Sequence, residues 1–148
     1  MEKTIILQAS NISIGYSNKK ETSVVASEVN LSLEKGKLTA LIGANGIGKS
    51  TLLRTLIGIQ KPLIGKVFLE EKDIHSIDNL TLAQHLSVVL TDKLPPSNLT
   101  VFELIALGRQ PYTNWIGKLT EEDIAKVNEA LELTQISHLA HKRHHEIS

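Results

Sequence analysis

The 148-residue sequence contains no cysteine. A disulfide scaffold, a cysteine zinc site, an iron–sulfur centre and a thiol nucleophile are all excluded. Freedom from disulfides suits a reducing compartment. Net charge is lacking as well, since 16 Lys+Arg balance 16 Asp+Glu. There is no basic surplus of the kind that marks a nucleic-acid binder, and no acidic tail. Long apolar runs are missing: nothing approaches the roughly 18 residues of a membrane-spanning helix. In the opening MEKTIILQAS the only continuous aliphatic run is Ile5, Ile6 and Leu7, too short for a secretory signal core. No internal repeat or low-complexity segment is visible. What is present is a globular composition, 41% hydrophobic and 22% charged, in a chain long enough for one core.

The first third reads as strands. Ile5, Leu7, Ile12 and Ile14 fall at near-alternating positions, and Val29, Leu31 and Leu33 alternate with Asn30, Ser32 and Glu34. Glu34-Lys35-Gly36-Lys37 signals a tight turn. Leu38-Thr39-Ala40-Leu41-Ile42 has the character of a strand buried on both faces of a sheet. After Gly48 the period becomes helical through Leu52, Leu53, Leu56 and Ile57, and Gly58 stands where a helix ends. Val67-Phe68-Leu69 predicts a strand, residues 73–83 a turn and short helix, and residues 86–90 a further strand. Pro95-Pro96 sits in a loop over residues 92–98. Beyond Thr100 the chain reads as helical. Val101, Leu104, Ile105 and Gly108 suit one helix. Thr120-Glu121-Glu122-Asp123 resembles a capping box ahead of an apolar stripe of Ile124, Val127 and Leu131, with Glu122 and Lys126 paired four apart.

The segment that carries chemistry is Gly43-Ala44-Asn45-Gly46-Ile47-Gly48-Lys49-Ser50-Thr51, which matches G-x-x-x-x-G-K-[ST]. A buried-strand pattern precedes it and an amphipathic helix follows. Glycines let the backbone curl until several N–H groups face one anion. The helix N-terminus adds partial positive charge. Lys49 has the reach for β- and γ-phosphate oxygens, and the Ser50 hydroxyl suits Mg²⁺.

This segment resembles the Walker A motif of ATP-binding-cassette (ABC) ATPases. The opening strands, with Ile14-Gly15-Tyr16, then Val29-Asn30-Leu31-Ser32-Leu33 and the Gly36 turn, are similar to that family's start. The resemblance implies an α/β P-loop NTPase fold with an N-terminal β subdomain, a Walker A strand–loop–helix and the start of a helical subdomain. It implies ATP and Mg²⁺ as cofactors. It also implies that Tyr16 stacks on adenine, a contact for which an aromatic face is well suited. Residues 1–91 correspond to the nucleotide-binding core. Residues 92–148 correspond to the glutamine-loop region and part of the helical subdomain.

The run Leu99-Thr100-Val101-Phe102-Glu103-Leu104-Ile105-Ala106-Leu107-Gly108-Arg109-Gln110-Pro111-Tyr112 narrows the resemblance. It is similar to the stretch opening the helical subdomain in importers of ferric siderophores, haem and cobalamin. That group implies an ATP-hydrolysing subunit, paired with a second copy and attached peripherally to a membrane permease at the cytoplasmic face. A periplasmic or surface solute-binding protein is involved indirectly, and no nucleic acid. Two departures stand out. Where the family has a glutamine touching Mg²⁺, this sequence has Thr91-Asp92, either of which offers an oxygen. Glu146-Ile147-Ser148 looks like the entry to the signature motif, so the sequence reads as the N-terminal part of a cassette. The family's catalytic glutamate and switch histidine would follow it, leaving the catalytic residues unassigned. Two other readings stay open: a nucleotide-binding remnant without catalysis, and a non-transport ABC ATPase.

His138, His141 and His145 would share one face of a helix, with His144 beside them, but nothing except Glu146 supplies a further ligand. An ordinary polar helix end is the expectation. Tyr112 and Trp115 fit either a docking patch or packing within the helical part.

Overall fold

The computed structural model describes residues 4–89, 97–114 and 116–147. They form two compact units, Met1–Leu82 and Ala83–Ser148.

The first unit is built on a long antiparallel hairpin of β1 (Ile5–Ser17) and β2 (Thr22–Glu34). Its turn is held by Asn18, whose side-chain oxygen accepts the N–H groups of Lys20 and Glu21. β3 (Ile64–Leu69) pairs with the other edge of β1, and the short β4 (Lys72–Asp73) pairs with β3. The sheet order is β2-β1-β3-β4. In β1 the buried positions change phase, from Leu7 and Ala9 to Ile12 and Ile14. The register shifts between Ala9 and Ile12, where Asn11 adopts φ 46° and donates its N–H to the Asn30 side chain at 2.8 Å. The irregularity moves the apolar set back to the core face. Val67, Leu69, Ile74 and Leu56 of helix α1 (Lys49–Leu56) complete this core. Helix α2 (Asn79–His85) follows a 3₁₀ turn capped by Asp73, as the turn-and-helix pattern predicts. Lys66 pairs with Asp73 at 3.1 Å.

Two expected strands do not form. Residues 38–42 pair with no strand among the described residues, and Leu38 is fully exposed with Ile42 89% exposed. Residues 86–89 are likewise irregular, with Val89 98% exposed, and Leu90 lies outside the described residues. The physical reason is shared. A strand of this apolar type draws its hydrogen bonds and its burial from neighbouring strands and covering helices. Neither segment has such a strand beside it among the described residues.

The second unit packs α3 (Val101–Ala106) on α4 (Glu121–Leu133) around Val101, Val127, Leu131 and Ala140. Both helices start with a capping box. Thr100 and Glu103 cap α3, and Thr120 and Asp123 cap α4. The chain after α4 folds back on α3, with Val101 N–H donating to Lys142 and Phe102 N–H to Ala140. Lys126 makes its direct ion pair with Glu129 at 2.8 Å, while Glu122 adds a weaker attraction to the same ammonium. Positions three and four apart are both within reach on a helix, and the glutamate three ahead takes the bond. The histidines do not share a helical face. Ser137–Leu139 and His144–Glu146 are separate 3₁₀ turns with an irregular link between them, and the His144 and His145 rings meet edge-on at 6.0 Å. No group of three or more His, Cys, Asp or Glu among the described residues is placed to hold a metal ion.

Candidate functional site

The loop of residues 43–48 leads into α1 through Gly48, the N-cap, at φ 106°. That left-handed conformation suits glycine. A Cβ at Gly48 would also lie 2.3 Å from Val25 Cγ1, so a side chain there would have to displace Val25 of β2. Gly46, at φ +81°, has open space where a side chain would stand. The helix is seated by Thr51, Thr55 and Leu56, all buried. Thr55 donates its hydroxyl to the Thr51 carbonyl at 2.8 Å. The helix ends just ahead of Gly58 (φ +79°), whose N–H donates to the Thr55 carbonyl, as the sequence pattern anticipates.

The first turn of α1 has no acidic residue. Its first internal bond runs from Leu52 N–H to the Gly48 carbonyl. The N–H groups of Lys49, Ser50 and Thr51 precede that bond on the helix and so have no partner within it. Donors and a positive dipole end converge where the loop curls. Lys49 Nζ donates to the carbonyls of Gly43 and Ala44, both at 2.7 Å. An ammonium has three donors, so these two contacts leave one for an anion. The Ser50 side chain is exposed beside them, a hard oxygen of the kind Mg²⁺ prefers. The residues present therefore fit a polyphosphate with Mg²⁺. Ala44, Asn45 and Ile47 supply loop backbone, and Ile47 is 62% exposed.

Tyr16 comes from the far end of β1. It is half exposed, and its hydroxyl shares a hydrogen bond with Thr51 Oγ1 at 3.0 Å. Beside it lies an open groove of about 500 Å³, lined by Gly15, Tyr16, Ser17 and residues 60–63. Gly15 fits because a Cβ there would lie 2.1 Å from the Ser23 carbonyl oxygen. The Gln60 side-chain amide donates to the Gly15 carbonyl. The structure thus joins Tyr16 to the loop-and-helix segment of residues 43–51 across 35 positions of sequence. Val25 and Gln60 are contributors the sequence reading missed. Neither carries a local signal, because each acts by contact between elements. Thr91, Asp92 and Trp115 lie outside the described residues.

Comparison with known proteins gives the loop its setting. The pattern of the ABC transporter family matches residues 26–148. The chain belongs to the ABC transporter family. An uncharacterized ABC transporter ATP-binding protein of Methanocaldococcus jannaschii is 39% identical over 143 residues, which cover 97% of this chain and 48% of that protein. The iron(3+)-hydroxamate import ATP-binding protein FhuC of Bacillus subtilis is 36% identical over 136 residues, covering 92% and 49%. The solved structure of a nucleotide-free ATP-binding cassette from an ABC transporter superposes with a TM-score of 0.75 at 31% identity, covering 98% of this chain and 60% of that one. The fold is therefore that of an ABC ATPase cassette. The chain spans about half the length of the curated relatives it matches.

In the second unit, Arg109 lies with its guanidinium carbon 4.1 Å from the centre of the Tyr112 ring, while its Nε donates to Asp123 at 2.9 Å. Asp123 is buried, and its carboxyl is held below the usual range. Donation from the Thr120 N–H and hydroxyl is the main cause, with Arg109 adding to it. Tyr112 donates its hydroxyl to Gln84, whose amide donates to Pro111. The exposed Tyr112 is thus held by its hydroxyl on Gln84 and by Arg109 over its ring face. No helix of the described residues is long and apolar enough to cross a membrane.

Proposed function

We propose that this chain carries the nucleotide-binding part of an ATP-hydrolysing subunit that powers import of a ferric siderophore, haem or cobalamin through a membrane permease. The observation that carries the reading is the loop of residues 43–51, closed by Lys49 on its own carbonyls and opening onto the first turn of α1. Family membership supports it. The siderophore assignment is supported by likeness to FhuC and by the run of residues 99–112.

In this reading residues 1–91 are the nucleotide-binding core and residues 92–148 begin the helical subdomain. Backbone N–H groups of the loop and first turn hold the phosphates, and Lys49 spends its third proton on the β- or γ-phosphate. Ser50 holds Mg²⁺, with Thr91 or Asp92 contributing an oxygen. When bound, Mg²⁺ neutralises charge on the β- and γ-phosphate oxygens. Tyr16, half exposed and tied to Thr51, offers its ring to the adenine. A second copy of the subunit completes the site, and the pair sits peripherally at the cytoplasmic face beneath the permease. The solute-binding protein meets the permease and not this chain.

The test is purification of the full-length protein from membranes. Recovery with a permease, and phosphate release from ATP that rises when the loaded solute-binding protein is added, is expected. Recovery alone, with ATP turnover indifferent to membrane partners, would point to a non-transport ABC ATPase.

A further inference from the structure

Tyr16 is fastened from two directions. Its backbone follows Gly15, which is wedged against Ser23 and takes the Gln60 amide on its carbonyl. Its hydroxyl meets Thr51 Oγ1 at 3.0 Å, either group being able to donate. Thr51 is itself fixed: it is buried, it lies on the first turn of α1 directly after Lys49 and Ser50, and its carbonyl takes the buried Thr55 hydroxyl. Between these anchors Tyr16 is 54% exposed. The ring of such a residue would ordinarily turn about its side-chain bonds in solvent, and a ligand would have to still it on binding.

We propose that the Tyr16 and Thr51 hydroxyls form a strut that presets the base-stacking ring relative to the phosphate loop. The strut couples the two halves of the nucleotide site and makes Tyr16 a positioning element through its hydroxyl, apart from its ring. A ligand with both a base and phosphates gains from the preset ring, and a ligand with phosphates alone does not. This proposal rests on the reading that Tyr16 stacks on the base.

The experiment measures binding of MgATP and of magnesium tripolyphosphate to the full-length protein. The variants are Tyr16→Phe, Tyr16→Ala, Thr51→Ser, Thr51→Val and the Tyr16→Phe/Thr51→Val pair. The quantity read is the ratio of the two affinities, which cancels any direct contact of Thr51 with phosphate. Tyr16→Phe is expected to lower that ratio by about 3- to 10-fold, the worth of ordering one side chain on binding. Thr51→Val should lower it similarly, Thr51→Ser should keep more of it than Thr51→Val, and the pair should lose no more than one single change. Multiplying losses in the pair would show independent hydroxyls and overturn the strut. A Tyr16→Phe ratio equal to the wild type, with Tyr16→Ala reduced, would also overturn it while leaving stacking intact. A ratio unmoved in Tyr16→Ala would overturn stacking, and the strut with it. Should Thr51→Val fail to fold, Tyr16→Phe and Thr51→Ser decide the matter by the same ratio.

Discussion

Val25 closes the space over Gly48: a Cβ added to that glycine would lie 2.3 Å from Val25 Cγ1. The edge strand β2 thereby shapes the loop that leads into α1. Gly48→Ala meets two penalties, the left-handed φ of 106° and the clash. Together these are expected to lower the stability of the full-length protein by about 2–4 kcal/mol. Adding Val25→Ala should return the part due to the clash and leave the part due to φ. Denaturant unfolding of the three proteins checks this, and equal stability of Gly48→Ala and wild type would contradict the loop geometry.

Tyr16→Ala is expected to weaken ATP and GTP alike, because stacking on an aromatic face reads no hydrogen-bond pattern. Its worth is about 1–3 kcal/mol for each base. Competition of both nucleotides against a fluorescent analogue measures it. A large loss for ATP with none for GTP would assign Tyr16 a role other than stacking.

Asp123 makes the helical unit sensitive to acid. Its carboxyl titrates below the ordinary value of about 3.9 because Thr120 and then Arg109 donate to the charged form. A depressed folded value means that the contribution to stability is complete above the unfolded value. It is lost as pH falls through the lower folded one. Glu103, capped by Thr100 in the same way, adds a second loss over a similar window. Asp123→Asn should therefore be less stable than wild type at pH 7, with the gap narrowing as pH falls below about 4. Unfolding midpoints followed by helical circular dichroism test it, and a gap that widens in acid would reverse the sign argued here.

Much of this was legible because it is local. The change from alternating to helical spacing at Gly48, the stop at Gly58 and the Thr120–Asp123 box each appear within a few residues of sequence. All three are present in the structure. The Thr100–Glu103 box follows the same local rule, a threonine three residues ahead of an acid at the start of an apolar helix. Residues 38–42 mislead for the opposite reason. Their apolar character is local, but a strand is made by its neighbours, and none among the described residues pairs with them. Tyr16–Thr51 and Gln60–Gly15 bridge 35 and 45 positions, and no spacing rule connects such pairs.

The 148 residues expressed by themselves are expected to release no phosphate from ATP above background. Transfer of a phosphoryl group requires positioned charge and an oriented water. Among the carboxylates present, Glu103 is committed to the N–H and hydroxyl of Thr100, and Glu121 stands on the first turn of α4. Residues 43–51 and the first turn of α1 themselves carry no carboxylate to orient water. Phosphate release that vanishes in Lys49→Ala would show that the chain supplies its own base.

By the proposed function, residues 43–51 hold the phosphates of a nucleotide. Titration of a fluorescent ATP analogue with Mg²⁺ into full-length wild type and Lys49→Ala tests it most directly. Removing the ammonium that bridges Gly43 and Ala44 takes away a charge-assisted phosphate contact, worth about 2–3 kcal/mol, so affinity should fall by roughly 30- to 150-fold. Equal affinity in the two proteins would contradict the account.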